Sequence, residues 1–128
     1  MLQERTNILL ITSEDNGPEL SCYGDPVIRT PNLDRLASEG AAFEEAYVTQ
    51  AVCSPSRASI FTGLYPHQNG QIGLATHRFT MHRSFPTIPG VLKGAGYRTG
   101  LIGKLHVLPE SAFPFDLWWN DPERISFQ

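Results

Sequence analysis

Residues 53–57 (CSPSR) combine a thiol and a guanidinium group four positions apart. Ser54 and Pro55 are typical of a helix start, so Cys53 is expected just before the first helical turn. Unpaired N–H groups and the positive end of the helix dipole favour an anion there, and Arg57 would lie one turn along on the same side. This arrangement suits a nucleophile that faces sulfate or phosphate. The alternative is a small buried cysteine beside a surface arginine.

Two adjacent carboxylates, Glu14 and Asp15, follow the apolar run of residues 7–12 (NILLIT). A short continuous apolar run predicts a strand buried on both faces, as in a parallel sheet. Ligands of open α/β sheets bind outside the carboxyl ends of the strands, and paired carboxylates suit Ca²⁺ or Mg²⁺. The alternative is a solvated acidic turn.

Lys104 and His106 follow residues 98–103 (RTGLIG), which predict a second buried strand. Residues two apart in an extended segment point the same way, so the ammonium and imidazole groups would face one spot. Both groups can donate hydrogen bonds to sulfate oxygens. The alternative is an exposed lysine and an incidental histidine.

Further elements are expected between these segments. Thr30 and Pro31 predict a helix start that Gly40 stops, and Gly63 is expected to end the helix that Ser54 opens. The other expected segments are a strand at 42–48, a surface loop at 68–83 and a helix at 87–95, with the tail from Pro109 unassigned. The alternation of strands and helices predicts an α/β fold with a mostly parallel sheet flanked by helices.

The composition is that of an ordinary globular protein, with 128 residues and a net charge of −3. The mild charge and the absence of a basic run argue against a nucleic-acid partner. No segment is long and apolar enough to span a membrane. The N-terminus does not read as a signal peptide, so a cytoplasmic location is expected unless a targeting signal lies outside this sequence. Cys22 and Cys53 do not suggest a disulfide framework.

The CSPSR segment resembles the Cys-x-Pro-Ser-Arg signature of type I sulfatases, in which the cysteine is oxidised to formylglycine. The surrounding AYVTQAVCSPSRASIFTGLYPH, the upstream TPNLDRLASEG and the downstream AGYRTGLIGKLH resemble the same family in the same order. The resemblance runs roughly over residues 7–106. It implies an alkaline phosphatase-like fold, of which residues 1–128 would form the N-terminal portion of the catalytic domain.

The resemblance also implies the chemistry of the site. Formylglycine made from Cys53 by a formylglycine-generating enzyme would act on a sulfate ester or sulfamate, with Arg57, Lys104 and His106 contacting the sulfate. Ca²⁺ or Mg²⁺ would be held by Glu14, Asp15 and modified Cys53. Family members usually carry Asp-Asp where this sequence has Glu-Asp. Asp15 is therefore the safer ligand of the two.

Within the family, LYPHQNGQIGL, IGKLHV and FPFD look most like the heparan N-sulfatases (sulfamidases) and their bacterial relatives, which implies a sulfated carbohydrate substrate. Family members are several hundred residues long and are often periplasmic, secreted or lysosomal. The isolated chain is therefore expected to be incomplete, inactive and prone to self-association through uncovered apolar surface. Two alternatives stay open: a phosphonate or phosphate monoester hydrolase of the same superfamily, and a truncated fragment without catalytic activity.

Overall fold

The computed structural model describes residues 6–120. These residues form two compact units, a first that ends at Ala46 and a second that begins at Tyr47. The first unit contains one α-helix, α1 (Pro31–Glu39), with Thr30 as its N-cap and Pro31 at its first position. The N–H of Gly40 closes the helix on the carbonyl of Leu36 at 3.0 Å, which confirms the predicted start and stop.

A polar network holds α1 against the turn at Ser21–Tyr23. The Ser21 hydroxyl lies 2.7 and 2.6 Å from the two carboxylate oxygens of Asp34, and the Thr30 hydroxyl donates to the same carboxylate at 3.0 Å. A carboxylate in the first turn of a helix is also favoured by the helix dipole. The helix is thus positioned mainly by polar contacts at its N-terminus.

The strands predicted at residues 7–12 and 42–48 are wrong, because the structure assigns no strand to either segment. The apolar side chains of the first segment are exposed; Leu9 is 84% exposed and Ile11 is 78% exposed. An apolar run becomes a strand only when neighbouring strands pair with its backbone groups. The local pattern alone therefore overstated the order of these two segments.

The second unit holds the remaining regular elements. Its helices are α2 (Cys53–Thr62), α3 (Pro66–Asn69) and α4 (Ile88–Gly94), and its strands are β1 (Gly100–Ile102) and β2 (Leu117–Trp119). The two strands pair in parallel, with Leu101 opposite Trp118. A parallel sheet with helices confirms the α/β fold class, and β2 comes from the tail that the sequence left unassigned.

Strand β1 was expected to be longer and buried on both faces. It covers only three residues, and Ile102 is 74% exposed. The helix predicted at 87–95 is confirmed, with Thr87 as the N-cap of α4. The helix predicted to end at Gly63 is also confirmed, since Gly63 closes α2 in a left-handed conformation.

The predicted surface loop at 68–83 is partly buried. Asn69 and Gln71 are completely buried, and Met81 belongs to the core. The core of the second unit is formed by five buried apolar side chains, which are Ala58, Met81, Leu105, Val107 and Phe113. Within the described part of the chain, no helix has the length and apolar character needed to cross a membrane.

Candidate active site

Cys53 is the first residue of α2, one position later in the helix than expected. Val52 is the extended N-cap, and its carbonyl accepts the N–H of Ser56 at 3.0 Å. Ser54 and Pro55 are buried, whereas Cys53 is only half-buried. Proline is tolerated in the first turn because its missing N–H has no partner within the helix there. The thiol thus lies at the end of the helix that favours negative charge.

Arg57, one turn further along α2, is half-buried. Its Nη1 donates a hydrogen bond of 2.6 Å to the main-chain carbonyl of Lys104. A charge-assisted hydrogen bond of this length is among the stronger ones in proteins. It ties the helix that carries Cys53 to the segment that carries Lys104 and His106.

Burial alternates along the segment that follows β1. Leu105 and Val107 are each 1% exposed and pack in the core, while Lys104 and His106 between them are only half-buried. The two anchoring side chains therefore fix the backbone on both sides of His106. The expectation that Lys104 and His106 face one spot stays a prediction, since the backbone at His106 is not extended.

His106 has a left-handed backbone conformation, with φ of 53°. Both of its ring nitrogens are shielded from solvent. A left-handed conformation at a residue other than glycine costs about 1–3 kcal/mol and persists only where the surroundings enforce it. Such residues occur often at functional sites, which marks His106 independently of its side-chain chemistry.

Glu14 and Asp15 lie in the first unit, in an exposed bend. Asp15 is also left-handed, with φ of 55°, a conformation that aspartate tolerates better than most residues. Carboxylate oxygens are the ligands that Ca²⁺ prefers, but two side chains supply only part of its six to eight contacts. Within residues 6–120, no three His, Cys, Asp or Glu side chains form a group that could hold a metal. A site shared by Asp15 and Cys53 stays a prediction.

A polar network that no sequence pattern predicted lies at the start of both strands. The Asp116 carboxylate bonds Lys93 Nζ at 2.6 Å and the Thr99 N–H at 2.8 Å. The hydrogen bond from Lys93 and then the one from Thr99 lower the pKa of Asp116 to about 2. Asp116 belongs to the FPFD segment, whose sequence pointed only to a family resemblance. The network aligns the strand that leads to Lys104.

A second missed contact lies beside Cys53. The buried Ser54 hydroxyl accepts the N–H of Ala75 at 2.9 Å, which fixes the loop after α3 against the N-terminus of α2. Neither Cys22 nor Cys53 forms a disulfide bond. The Ser54–Ala75 contact and the Asp116 network leave no periodic signal in the sequence, because each joins residues that are far apart in the chain.

A parallel α/β sheet with a cysteine–arginine helix start beside a lysine–histidine segment is the arrangement expected for a sulfatase. The Sulfatase family model matches residues 6–121. The chain belongs to the sulfatase family.

Two curated relatives match most of this chain. N-sulphoglucosamine sulphohydrolase of Homo sapiens is 44% identical over 117 residues, which are 90% of this chain and 23% of that protein. N-acetylglucosamine-6-O-sulfatase of Bacteroides thetaiotaomicron is 40% identical over 90% of this chain and 20% of its own length. The chain thus spans less than a quarter of the length of these relatives.

One solved structure has the same fold over nearly all of this chain. It is a complex of a protein with its substrate D-glucosamine-2-N,6-O-disulfate, and it matches with a TM-score of 0.79 and 39% identity. The match covers 90% of this chain and 23% of that one. The fold is therefore the N-terminal part of an alkaline phosphatase-like sulfatase fold, as the sequence predicted.

Proposed function

We propose that the protein that contains this chain hydrolyses sulfate esters or sulfamates, with residue 53 as its nucleophile. The observation that carries the proposal is the hydrogen bond between Arg57 and the carbonyl of Lys104. It brings the cysteine-bearing start of α2 and the lysine–histidine segment into one unit. Membership of the sulfatase family supports the reaction class.

A sulfated glucosamine is named in three of the matches. Two relatives are named for N-sulfoglucosamine and for N-acetylglucosamine 6-O-sulfate, and the structural neighbour binds a glucosamine with both kinds of sulfate. These three sugars share the glucosamine ring and differ in the number and position of the sulfate groups and in N-acetylation. We propose that this protein acts on the same class of sulfated amino sugar.

Formylglycine, which a formylglycine-generating enzyme would form from Cys53, would supply a hydrated aldehyde at position 53 as the nucleophile for sulfur. The alcohol or amine of the substrate would leave from sulfur, and the second hydroxyl of the hydrate would allow sulfate to be released as the aldehyde re-forms. The residues around it have their own tasks. The N–H groups at the start of α2 and the Arg57 guanidinium would bind sulfate oxygens and offset the charge that develops on them. Lys104 and His106 would donate further hydrogen bonds to those oxygens.

Glu14 and Asp15 are proposed as ligands of Ca²⁺ or Mg²⁺, with residue 53 as a third. The carboxylates have the right chemistry, but the side chains of residues 6–120 do not form a complete site. A working site would need further oxygen ligands. For this reason no reaction step is assigned to the cation, and the proposal rests on the residues of α2 and the segment after β1.

The test is an assay of the intact protein, produced together with a formylglycine-generating enzyme. It compares N-sulfoglucosamine and glucosamine 6-sulfate with glucosamine 6-phosphate. We expect turnover of a sulfated sugar that disappears in Cys53→Ala and survives in Cys22→Ala, which removes the second cysteine of the chain. Preferred turnover of the phosphate ester would instead favour the phosphate hydrolase alternative. No turnover of any substrate would indicate a fragment without catalytic activity.

A further inference from the structure

Gln71 is a completely buried polar residue in the loop after α3. Its Nε2 donates to the carbonyls of Gly73 at 2.7 Å and Phe79 at 2.9 Å. Its Oε1 accepts the N–H of Leu108 at 3.3 Å. Burial of a carboxamide is unfavourable unless its polar atoms are bonded, so these three contacts act as a structural bridge. The bridge joins both ends of the loop to the segment that contains His106.

The backbone of Gln71 is also held in place. Its N–H donates to Asn69 Oδ1 at 2.8 Å, and Asn69 is completely buried as well. The Asn69 side chain in turn donates to the carbonyl of Leu64 at 3.2 Å, at the end of α2. The carboxamide of Gln71 is therefore attached to a fixed backbone. Its bond to the Leu108 N–H in turn fixes the position of Leu108.

Segment 104–108 is anchored at both ends by these contacts. Arg57 holds the carbonyl of Lys104, and Gln71 holds the N–H of Leu108. The N–H of Met81 adds a bond of 2.8 Å to the carbonyl of Leu108. Between the anchors lies His106 in its left-handed conformation. A strained residue persists where its surroundings over-determine it, and the two anchors meet that condition.

We propose that Gln71 is a positioning residue, which holds His106 in its left-handed conformation and thereby places the imidazole for the sulfate. This inference rests on the proposed function for its catalytic consequence. Gln71 does not contact the substrate in this account, and it acts through Leu108 and the backbone of the segment. Its loss should loosen one end of the segment while Arg57 still holds the other.

The experiment compares Gln71→Met with the wild type and with the matched variant Thr87→Val in the intact, formylglycine-containing protein. Methionine keeps the length of the side chain but removes all three hydrogen bonds. Thr87 is buried and donates to the carbonyl of Ala112 at 3.0 Å, so its variant also loses a buried hydrogen bond. Hydrogen–deuterium exchange of the peptide over residues 104–108 measures the positioning directly, and kinetics on a sulfated sugar measure its consequence.

We expect faster exchange in residues 104–108 for Gln71→Met and no change there for Thr87→Val. In the kinetics, kcat should fall about 10–100-fold with little change in KM, because misplacement of a reacting group by about 1 Å can cost about 100-fold. Unchanged exchange in Gln71→Met, or an equal change in Thr87→Val, would overturn the proposal. Wild-type protein without sulfatase activity would overturn the proposed function, while the exchange result still decides whether Gln71 holds the segment.

Gln71→Glu provides a second variant in case the methionine variant does not fold. Its carboxyl keeps an acceptor for the Leu108 N–H, and burial favours the neutral carboxyl at mildly acidic pH. We expect residues 104–108 to stay protected in this variant while exchange rises in residues 73–79. Loss of protection in both segments would contradict the assignment of the Leu108 bond as the anchor.

Discussion

Arg57 and Lys104 are 47 positions apart in the sequence, and one hydrogen bond between them organises the candidate site. The Arg57 side chain has two tasks in this account. It binds the carbonyl of Lys104, and it faces the sulfate proposed to bind at residue 53. Guanidinium can do both because it presents five N–H donors in a fixed planar fork, whereas an ammonium group is a compact point charge.

Arg57→Lys should therefore reduce turnover strongly although the charge is kept. We expect kcat to fall about 100–1,000-fold, the size of effect seen when one donor to a developing oxyanion is removed. Steady-state kinetics with a sulfated glucosamine check this. Arg35→Lys on the exposed face of α1 is the control and should behave like the wild type. A kcat of Arg57→Lys within about threefold of the wild type, where a loss of about 100-fold or more is expected, would contradict the two roles of Arg57.

Helix α2 carries the proposed nucleophile, and two glycines shape the chain that follows it. Gly63 ends the helix with φ of 69°, and Gly70 follows α3 with φ of 92°. Space for a side chain differs between them. A Cβ at Gly63 would meet no atom within 4 Å, whereas a Cβ at Gly70 would lie 2.7 Å from the backbone nitrogen of His82 and overlap its ring.

Gly63→Ala should lower the free energy of unfolding by about 1–2 kcal/mol, the cost of a left-handed alanine. Gly70→Ala should cost about 1–3 kcal/mol more, because the added methyl group also collides with backbone that cannot move freely. Urea denaturation of the two variants measures the difference. Equal losses in both would show that the His82 backbone adapts to the methyl group.

The network at the start of β1 and β2 predicts a pH dependence of stability. The pKa of Asp116 is lowered from its ordinary value of 3.8 to about 2, mainly by the hydrogen bond from Lys93. A lowered carboxyl pKa means that the ionised form stabilises the fold above pH 3.8, and this contribution is lost as the pH falls towards 2. Asp116→Asn should melt at a lower temperature than the wild type at neutral pH, and the gap should narrow over that acidic window.

Thermal unfolding at a series of pH values measures this effect. Lys93→Met removes the main cause of the lowered pKa and should reproduce most of the effect. The carboxylate charge would not contribute to stability if the difference in melting temperature between wild type and Asp116→Asn stayed constant from neutral pH to pH 2.

The helices were predictable because the residue types at their ends favour a helix start or stop. Thr30-Pro31, Gly40 and Gly63 mark starts and stops within a few residues, and the structure follows them. The strands were predictable only in part. The strand predicted at 98–103 contains β1, whereas residues 7–12 look like a buried strand but need partners that a local pattern does not specify.

The candidate site residues were named from their types and spacing, and their roles stay predictions. The contact of Arg57 with the carbonyl of Lys104 joins α2 to the segment after β1. The bridging role of Gln71 was not visible, because its partners are carbonyl and N–H groups of irregular loops. Such contacts depend on the path of the backbone and leave no spacing in the sequence.

For the chain as a whole, the main unexplained feature is the number of large apolar side chains that are exposed. Leu9 and Ile11 in the first unit are 84% and 78% exposed, and Trp119 in β2 is 51% exposed. Large exposed apolar side chains favour association with another surface. In the intact relatives, several times more chain is present to pack against such surfaces.

We expect the 128-residue chain on its own to self-associate in a concentration-dependent way. Leu9→Lys should weaken the association, because it places a charge in the exposed apolar run. Asn7→Lys adds the same charge at an exposed position beside that run and should have a smaller effect. Sedimentation velocity measures both. A monomer at all accessible concentrations would contradict the expectation.

Conversion of Cys53 to formylglycine, the proposed nucleophile, can be measured by mass spectrometry of the intact protein. The tryptic peptide that ends at Arg57 contains residue 53, and the peptide with Cys22 serves as the internal control. We expect that residue 53 has lost its sulfur and reacts with a hydrazide as an aldehyde, while Cys22 is still a thiol. A sulfate-hydrolysing preparation in which residue 53 is entirely an unmodified cysteine would contradict it.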